Sequence, residues 1–542
     1  MPMIPEQIIK RLEQLESERS SYSSTWQELA KYCLPRKAFI TRIKSPGQKV
    51  DHDIYDSTAI QSALVLAAGL HSYLTNPAQK WFTLRMQNKD LMDDKEVKVW
   101  LKQGEDRCYD ALNNSNFSQQ VHENYIDLTV FGTSCLYEEE DPKDLVRFYC
   151  RPLQEVFISE DYRGRVDTLY RKFQLTARQA WEQWGNEAGE EVTTAMEKKD
   201  YDKKITFVHC VMPRYERDVS KKDAVNMPFV SYYIEKEKKH LISEGGYEEF
   251  PFFVPRFNKE SDEVYGTSPA WVSFPDIKML NQISYTIIRA AQKIVDPPLL
   301  LPHDGFLLPI KLSPGAINYK TSGTPQDKVE QLITNANIPV GLEVEENKRL
   351  IIKRNFFVDL FLLLADPNRK DMTATEVMAR VEEKMLILAP TLGRLMNELL
   401  DPIIDRTFKI LLRNNLIPPP PPILSGQDYV IEYTSPLARA QRMEEMKAIN
   451  QVITITGGIA QFFPDALDKI NVDKLMDQIA DLYNIHPEVV RSDDEVKLIR
   501  EQRAQAQQRA QEMAMIQQGA DIIKTGSEID VNAAESKQIG TK

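Results

Sequence analysis

The stretch PDIKMLNQISYTIIRAAQKIVDPP (275–298) decides the architecture of this chain. Ile277, Leu280, Ile283, Ile287, Ala291 and Ile294 recur at helical spacing, which predicts a helix with one apolar face over 275–295. Lys278, Asn281, Tyr285, Arg289 and Gln292 occupy the opposite face, and Asp296-Pro297-Pro298 ends the helix, because a residue before proline is pushed out of the helical region. Residues 299–340 then read as irregular, with Pro and Gly at intervals and a short helix near 326–336. A second helix follows at about 344–364, and the polar run Asp366-Pro367-Asn368-Arg369-Lys370-Asp371 breaks it. A helix, a long irregular insert, a second helix and a polar loop form the frame to which the rest is attached.

On the N-terminal side, residues 4–34 read as one helix, with Ile8, Ile9, Leu12 and Leu15 on a face and Pro35 as its stop. Residues 55–77 predict a second helix, capped by Asp56 or Ser57, with Ile60, Leu64, Ala67, Leu70 and Leu74 at helical spacing. Helices over 94–115 and 117–130 lead to the turn Phe131-Gly132-Thr133. Between 134 and 260 the period changes to short alternating or aromatic runs, such as VRFYCR, DTLYRKFQL and ITFVHCVMPRY, which predict antiparallel strands. Turn signals at Asp161-Tyr162-Arg163-Gly164 and Gly245-Gly246 separate them, and one helix is interposed near 177–186. The fold class is therefore α+β.

On the C-terminal side, the capping box Thr373-Ala-Thr-Glu376 opens a helix that can run to Asn414, kinked at Pro390 and Pro402. Five prolines (418–422) form a stiff spacer before the strand DYVIEYTSP. Ser435-Pro436 starts another helix, and the capping box Ser492-Asp-Asp-Glu495 opens a last one that ends near Gly519. The final residues read as frayed, and no repeat of fixed period occurs.

Lys and Arg number 68 against 80 Asp and Glu, a net charge of −12. That balance argues against a surface that grips nucleic acid throughout, since such binding neutralises phosphates with cations. It suits a conduit through which DNA slides. The five cysteines are odd in number, widely spaced and without a CxxC pair, so no disulfide framework is expected and synthesis in a reducing cytoplasm is. The most apolar runs, ALVLAAGL (63–70) and FFVDLFLLLA (356–365), are shorter than the roughly 20 residues a bilayer requires, so no membrane anchor is expected.

Chemistry is mostly missing. There is no GxxxxGK[ST] phosphate loop, HExxH, GxSxG or GxGxxG, so neither an ATP-driven motor nor one of the familiar hydrolases is expected. His209-Cys210 falls in a strand, where neighbours point to opposite faces. Asp51-His-Asp53-Ile-Tyr-Asp56 begins like a calcium loop but has Asp56 where the sixth-position Gly belongs and Ser62 in place of the twelfth-position Glu. A polar loop leading to a helix cap is the better reading. The run Glu138-Glu139-Glu140-Asp141 reads as a solvated hairpin rather than a nuclease-like cation site. No cofactor, metal or catalytic residue is expected.

Five blocks in order resemble the podovirus head-to-tail connector, or portal, family. They are DSTAIQSALVLAAGLHSYLTNPAQKWFTL (56–84), SNFSQQVHENYIDLTVFGTSCLY (115–137), EFPFFVPRFNKESDEVYGTSPAWVSFPDIKMLN (249–281), MTATEVMARVEEKMLILAPTLGRLMNELLDPIIDR (372–406) and YTSPLARAQR (433–442). Together they span most of the chain, while the last hundred residues carry no matching block.

The resemblance implies a ring, usually of twelve subunits, at one capsid vertex of a short-tailed phage. It implies N-terminal helices and a wing over 1–264, a first stem helix at 265–296 and a clip at 297–342. A second stem helix at 343–364, a channel loop at 365–373 and a long kinked wing helix at 374–414 follow. Residues 415–490 add a proline spacer, a wing strand and helices, and 491–542 a crown helix and tail. The long insert between the two helices, unusual inside a compact domain, makes sense if neighbouring subunits cover it.

The implied function is passage of DNA during packaging and ejection, without catalysis. Implied partners are double-stranded DNA held without sequence preference, the terminase large subunit, a tail adaptor, and the major capsid and scaffolding proteins. The expected location is the virion, at the head–tail junction. Candidate phosphate contacts are Asn368, Arg369 and Lys370 in the channel loop, with Lys311 and Lys320 in the clip. Two rival readings are another phage ring or tail adaptor, which tends to be shorter, and a metal-dependent DNA-processing enzyme built on the acidic clusters.

Overall fold

The computed structural model describes residues 4–42, 47, 53–88, 91–92, 94–221, 223–300, 330–331, 338–362, 388–424, 429–433, 448–459, 471–482, 489–491, 495–511 and 513. The chain divides into two compact units. The first comprises Met1–Phe82, Asp106–Ile417 and Tyr433–Leu437, and the second Thr83–Glu105, Pro418–Glu432 and Ala438–Lys542. Helix and sheet are mixed, as expected.

The first helical segment is two helices, not one: α1 (Pro5–Glu18) and α2 (Ser20–Cys33). The break falls at Arg19, which is almost wholly buried. A buried guanidinium requires acceptors, and it donates from Nη1 to the Leu153 carbonyl at 2.7 Å and from Nη2 to that of Gln154 at 3.2 Å, while lying 3.8 Å over the Phe157 ring. The helix α3 (Thr58–Leu74) buries Ala63, Leu66, Ala67, Leu70 and Leu74, but Leu64, expected on that face, is exposed.

After the strand β1 (Phe82–Met86) come α4 (Lys95–Asn114) and α5 (Phe117–Phe131), close to their expected limits. The hairpin β2 (Leu136–Asp141) and β3 (Leu145–Cys150) precedes β4 (Val156–Glu160) and β5 (Val166–Thr176). Two short helices, α6 (Ala177–Trp184) and α7 (Glu190–Glu197), lead to β6 (Lys204–Pro213), β7 (Phe229–Glu235), β8 (His240–Tyr247) and β9 (Phe252–Phe253).

Strands β4 to β8 form one antiparallel sheet in chain order, and β3-β2-β9 a second. Alternation along the strands separates two cores. Tyr170, Val208, Cys210, Tyr232 and Ile234 pack on Ile8, Ile9, Leu12 and Leu15 of α1. Phe173, Ile205, Phe207 and Ile242 face Ala177, Ala180, Val192 and Ala195 of α6 and α7. His209 and Cys210 do point apart. His209 stacks on Tyr233 with centroids 4.1 Å apart and bonds Ser231 at 2.9 Å, while Cys210 enters the α1 core.

Gly245 and Gly246, expected in a turn, lie inside β8. A Cβ on Gly246 would collide with the Ala224 carbonyl oxygen. Here glycine admits a crossing loop into contact with a strand.

The deciding helix, α8 (Pro269–Val295), starts earlier than Pro275. Ser268 caps it, its Oγ accepting from the Trp271 N–H at 3.3 Å, and Pro269 takes the first turn, where its missing N–H costs nothing. Pro275 sits inside the helix. The strands β10 (Leu299–Leu300) and β11 (Glu330–Gln331) pair antiparallel, so part of the 326–336 stretch expected to be helical is strand.

The second deciding helix, α9 (Ile338–Asn355), also starts earlier and ends earlier than expected, and α10 (Val358–Leu362) follows a break at Phe356-Phe357. Phe357 has φ 55°, a left-handed conformation that an α-helix does not contain. Residues 388–395 are helical, Met396–Leu400 form a π-turn, and α11 (Asp401–Arg413) carries Pro402 in its first turn. Here the expected kink takes the form of a π-turn.

In the second unit β12 (Tyr429–Tyr433), the strand expected after the proline spacer, pairs with β1. The Trp100 indole N–H donates to the Pro418 carbonyl at 2.8 Å and so anchors the start of the proline spacer. Residues 448–459, Val472–Leu482 and 495–511 are helical, and Arg500 bonds Asp473 through Nη2 at 2.6 Å.

Candidate functional site at the base of the paired helices

Helices α8 and α9 run antiparallel. Contacts climb one as they descend the other: Ile287 lies beside Gly341, Ser284 Oγ donates to Glu345 Oε1 at 2.6 Å, and Lys348 Nζ reaches Asp276 at 2.7 Å. Arg349 ties this pair to the loop before α3, donating to Asp56 at 2.9 Å and to Glu345 at 2.6 Å. Asn281 completes the brace. Its Nδ2 donates to the Asp53 carbonyl at 3.0 Å and its Oδ1 accepts from the Tyr55 N–H at 2.8 Å.

The stretch that begins like a calcium loop is therefore a fastening. Asp56 accepts the Thr58 N–H at 2.8 Å at the start of α3, and Asp53 pairs with Lys31 at 3.0 Å. The expected cap is present, and both carboxylates also hold cations of neighbouring helices.

Beneath α8, two of the blocks quoted above meet backbone to backbone. Gly132 (φ +81°) ends α5 in the left-handed conformation that favours glycine. A Cβ on it would lie 2.5 Å from the Gly266 oxygen, and one on Gly266 would lie 2.5 Å from the Gly132 oxygen. Thr133 Oγ1 accepts the Gly266 N–H at 2.8 Å, and Ser268 Oγ donates to the Val130 carbonyl at 2.7 Å. The Trp26 indole N–H donates to the Phe131 carbonyl at 2.9 Å, with Tyr265 edge-on to its ring at 5.3 Å. This junction sets where α8 leaves the body.

Arg256, from the same stretch as Gly266, is buried and forms a strut. It donates to Glu398 in the π-turn from its backbone N–H at 2.9 Å and from Nη2 at 2.6 Å, pairs with Glu160 at the end of β4, and reaches the carbonyls of Val264 and Gly164 at 3.2 and 3.0 Å. The guanidinium thus joins the sheet, the approach to α8 and the helix ending in α11. A planar fork with five donors suits such a crossing.

The acidic run corrects one expectation. It does form a hairpin, but Glu138 is wholly buried rather than solvated. Thr407 Oγ1 donates to it at 2.9 Å, and the buried Arg406 lies 3.7 Å away, bonded in turn to the Glu249 carbonyl at 3.1 Å. Burial pushes the Glu138 carboxyl up to about 7, with Arg406 and Thr407 opposing the shift. Glu140 pairs with Arg413 at 3.0 Å. These carboxylates are engaged in fastening a hairpin to α11 and do not converge on an open site.

Asn368, Arg369, Lys370, Lys311 and Lys320 lie outside the described residues, as does the capping box at 373–376. Among the described residues no group of three or more His, Cys, Asp or Glu is placed to hold a metal ion, and no helix is long and apolar enough to cross a membrane. The residues that composition and motif reasoning overlooked are Arg256, Arg349 and Arg406. The only signal they leave is an arginine in or beside an otherwise apolar run.

A braced helix pair thus stands on a helix-and-sheet body fastened by buried ion pairs. The sequence matches the family described as bacteriophage head to tail connecting protein over residues 5–490. A portal protein of Salmonella phage epsilon15 is 34% identical over 529 residues, covering 96% of this chain and 95% of the relative. A probable portal protein of Bordetella phage BPP-1 is 34% identical over 533 residues, covering 97% and 96%. The chain belongs to the bacteriophage head-to-tail connecting protein family, a structural family, and its function is that of a phage portal.

Proposed function

We propose that this chain assembles as a closed ring, of twelve copies by analogy with its family, in which α8 and α9 are stem helices packed against those of neighbouring copies. The observation that carries the reading is the apolar surface left on this pair. Val272, Met279, Ile288 and Ile294 on α8, and Val340, Leu342, Leu350 and Ile351 on α9, are exposed by between 40% and 67%. Taking a large apolar side chain from full exposure to full burial contributes about 1.5–3 kcal/mol, and these are already about half covered, so roughly half of that per residue remains to drive association. The other sides of the pair are tied down by Arg349, Asn281 and Lys348, which leaves it rigid enough to line a channel.

In this reading the clip, expected over 297–342, ends where α9 begins at Ile338 and docks the terminase and later the tail adaptor, while 365–373 is the channel loop, 374–414 the long wing helix and 491–542 the crown. DNA passes through without being gripped, since a net charge of −12 repels phosphate, and Asn368, Arg369 and Lys370 supply the local contacts. Lys311 and Lys320 are secondary candidates in the clip. The ring sits at the head–tail junction of the virion, in contact with capsid and scaffolding proteins.

Val272 and Met279 are seven residues apart, on one face of α8. Replacing both with Asp is expected to convert the ring to monomers that stay folded but unfold at a lower temperature than the assembled parent. Size-exclusion chromatography with light scattering and negative-stain images check this, and an intact ring would remove α8 from the subunit interface. Replacing Arg369 and Lys370 with Ala is expected to leave ring assembly unchanged and to lower DNA retention after packaging. Unchanged packaging and retention would exclude both residues as phosphate contacts. Magnesium-dependent cleavage of DNA by a purified monomer would favour the processing-enzyme reading instead.

A further inference from the structure

Arg151 follows directly on β3, away from the helix pair, and its half-buried side chain has no acceptor among the described residues. The guanidinium lies 4.5 Å over the Tyr149 ring and 5.1 Å over that of Tyr137. Nε is sealed from water without a partner, whereas the two Nη atoms are not sealed. Charges taken out of water are ordinarily paired, and an unpaired one calls for an explanation such as an ion. Other buried guanidiniums of this chain meet that requirement internally, Arg19 through carbonyls and Arg256 through carboxylates and carbonyls.

The position of Arg151 is fixed. Its backbone N–H donates to the Cys135 carbonyl at 2.8 Å. The edge of β3 is closed by side chains of α5 and the residue before it. Asn116 Oδ1 accepts the Phe148 N–H at 2.8 Å, and Gln120 Oε1 accepts the Cys150 N–H at 2.7 Å. Val146 and Phe148 are buried, so alternation puts Arg147, Tyr149 and Arg151 together on the other face.

Neighbouring charges leave this spot cationic, although the chain as a whole is acidic. Arg147 lies 5.9 Å from the same Tyr149 ring, with Asp144 3.7 Å away and Glu139 opposite it in register. Arg171 on β5 bonds Glu155 through Nε at 2.8 Å and lies 4.1 Å over Phe173. Its Nη atoms meet no acceptor among the described residues. His209 faces Arg171 in register on β6. Burial first, then Arg171 and Arg151, hold its imidazole well below the ordinary value, so it stays neutral. Asp144 and Glu155 thus serve Arg147 and Arg171, and Arg151 is the cation left over.

We propose that Arg151 is the centre of a phosphate-binding site. Its two open Nη atoms donate to a pair of phosphate oxygens, while Tyr149 and Tyr137 hold the guanidinium plane. Arg147 and Arg171 add attraction without being the primary contacts. A planar fork suits a phosphate bound through two oxygens. A fork held in place before the ligand arrives loses little freedom on binding. The ligand is a phosphate group, either the free ion or one in a nucleic-acid backbone.

Calorimetric titration of inorganic phosphate into the purified full-length protein, with ionic strength held constant by chloride, tests the proposal. Saturable binding at one phosphate per chain is expected in the parent. Arg151→Gln is expected to weaken it on the order of tenfold to a hundredfold. Arg151→Lys is expected to fall between them, because an ammonium lacks the fork. Arg163→Gln, at an exposed arginine in the β4–β5 turn, is expected to bind like the parent. Because the Arg151 side chain makes no hydrogen bond, Arg151→Gln is expected to fold and assemble as the parent does in phosphate-free buffer. Absence of saturable binding in the parent overturns the proposal, as does equal affinity in Arg151→Gln. Weakened assembly of Arg151→Gln without phosphate also overturns it, by showing that a carboxylate of a second copy occupies the arginine. If Arg151→Gln does not fold, Arg151→Lys carries the test, and affinity equal to the parent's overturns the proposal. Duplex DNA at equal phosphate concentration is the second arm. Displacement of bound phosphate supports a backbone phosphate as the source, and retention supports the free ion.

Discussion

Replacing Gly132 with alanine is expected to abolish most of the folded protein. Two costs coincide there. The left-handed backbone at φ +81° costs an L-residue about 1–2 kcal/mol. The new methyl group would also lie 2.5 Å from both the Gly266 oxygen and the Thr267 carbonyl carbon. These are backbone atoms fixed by the Thr133–Gly266 and Ser268–Val130 hydrogen bonds, so relief requires moving the base of α8. Overpacking of this kind costs about 1–3 kcal/mol or more, and the sum is a large part of the 5–15 kcal/mol that typically separates folded from unfolded chains. Gly164→Ala is the control. Gly164 also has positive φ (+76°), but its would-be Cβ meets only the flexible end of Lys259, 3.1 Å away. Soluble yield and thermal unfolding of the two variants separate overlap from backbone strain, and equal losses would refute the account of the junction.

Arg256→Ala is the second change expected to have a large effect, with a loss of about 3–5 kcal/mol. The guanidinium is buried, and its removal leaves Glu398 with only the backbone N–H of residue 256 and Glu160 with Lys259 alone, 2.8 Å away. The loss comes chiefly from leaving carboxylates uncompensated rather than from the worth of the ion pairs themselves. The paired change Arg256→Met with Glu398→Leu is therefore expected to recover part of it, because it removes the stranded charge along with its partner. Denaturant titrations of the two variants check the order. A double variant less stable than Arg256→Ala would show that the π-turn depends on the arginine for its geometry, beyond its charge. Arg256→Lys is expected to fall between parent and Ala, since an ammonium cannot reproduce the fork that spans Glu160, Glu398 and two carbonyls.

Much of the fold is legible along the chain because it rests on local periodicity. The apolar residues of 275–295 mark a helix, the alternation in ITFVHCVMPRY marks a strand, and Pro35, Asp296-Pro297 and Asn414 stand at or beside true ends. The apolar period places the two helices from Pro275 and from about 344, later than α8 and α9 begin, because a local reading takes proline and glycine as boundaries; Pro269 and Pro339 instead occupy first turns, where the missing N–H costs nothing, and Pro275 sits inside α8. The strand β8 was missed because Gly245-Gly246 reads locally as a turn. Gly246 answers instead to the Ala224 carbonyl, more than twenty residues away in sequence.

The candidate site divides along the same line. Sequence alone determined the helix–insert–helix order, the strand-rich middle, the missing phosphate loop and five ordered blocks sufficient to place the chain in its family. Each is a property of neighbouring residues or of their order. Tertiary structure alone decided that Phe131-Gly132-Thr133 and Tyr265-Gly266 from separate blocks touch backbone to backbone. It also decided that Arg256 crosses to Glu398 and that Glu138 is a buried anchor in a hairpin expected to be solvated. A carboxyl's role depends on whether water or another charge stands beside it, and that neighbour is set by chain segments far away in sequence.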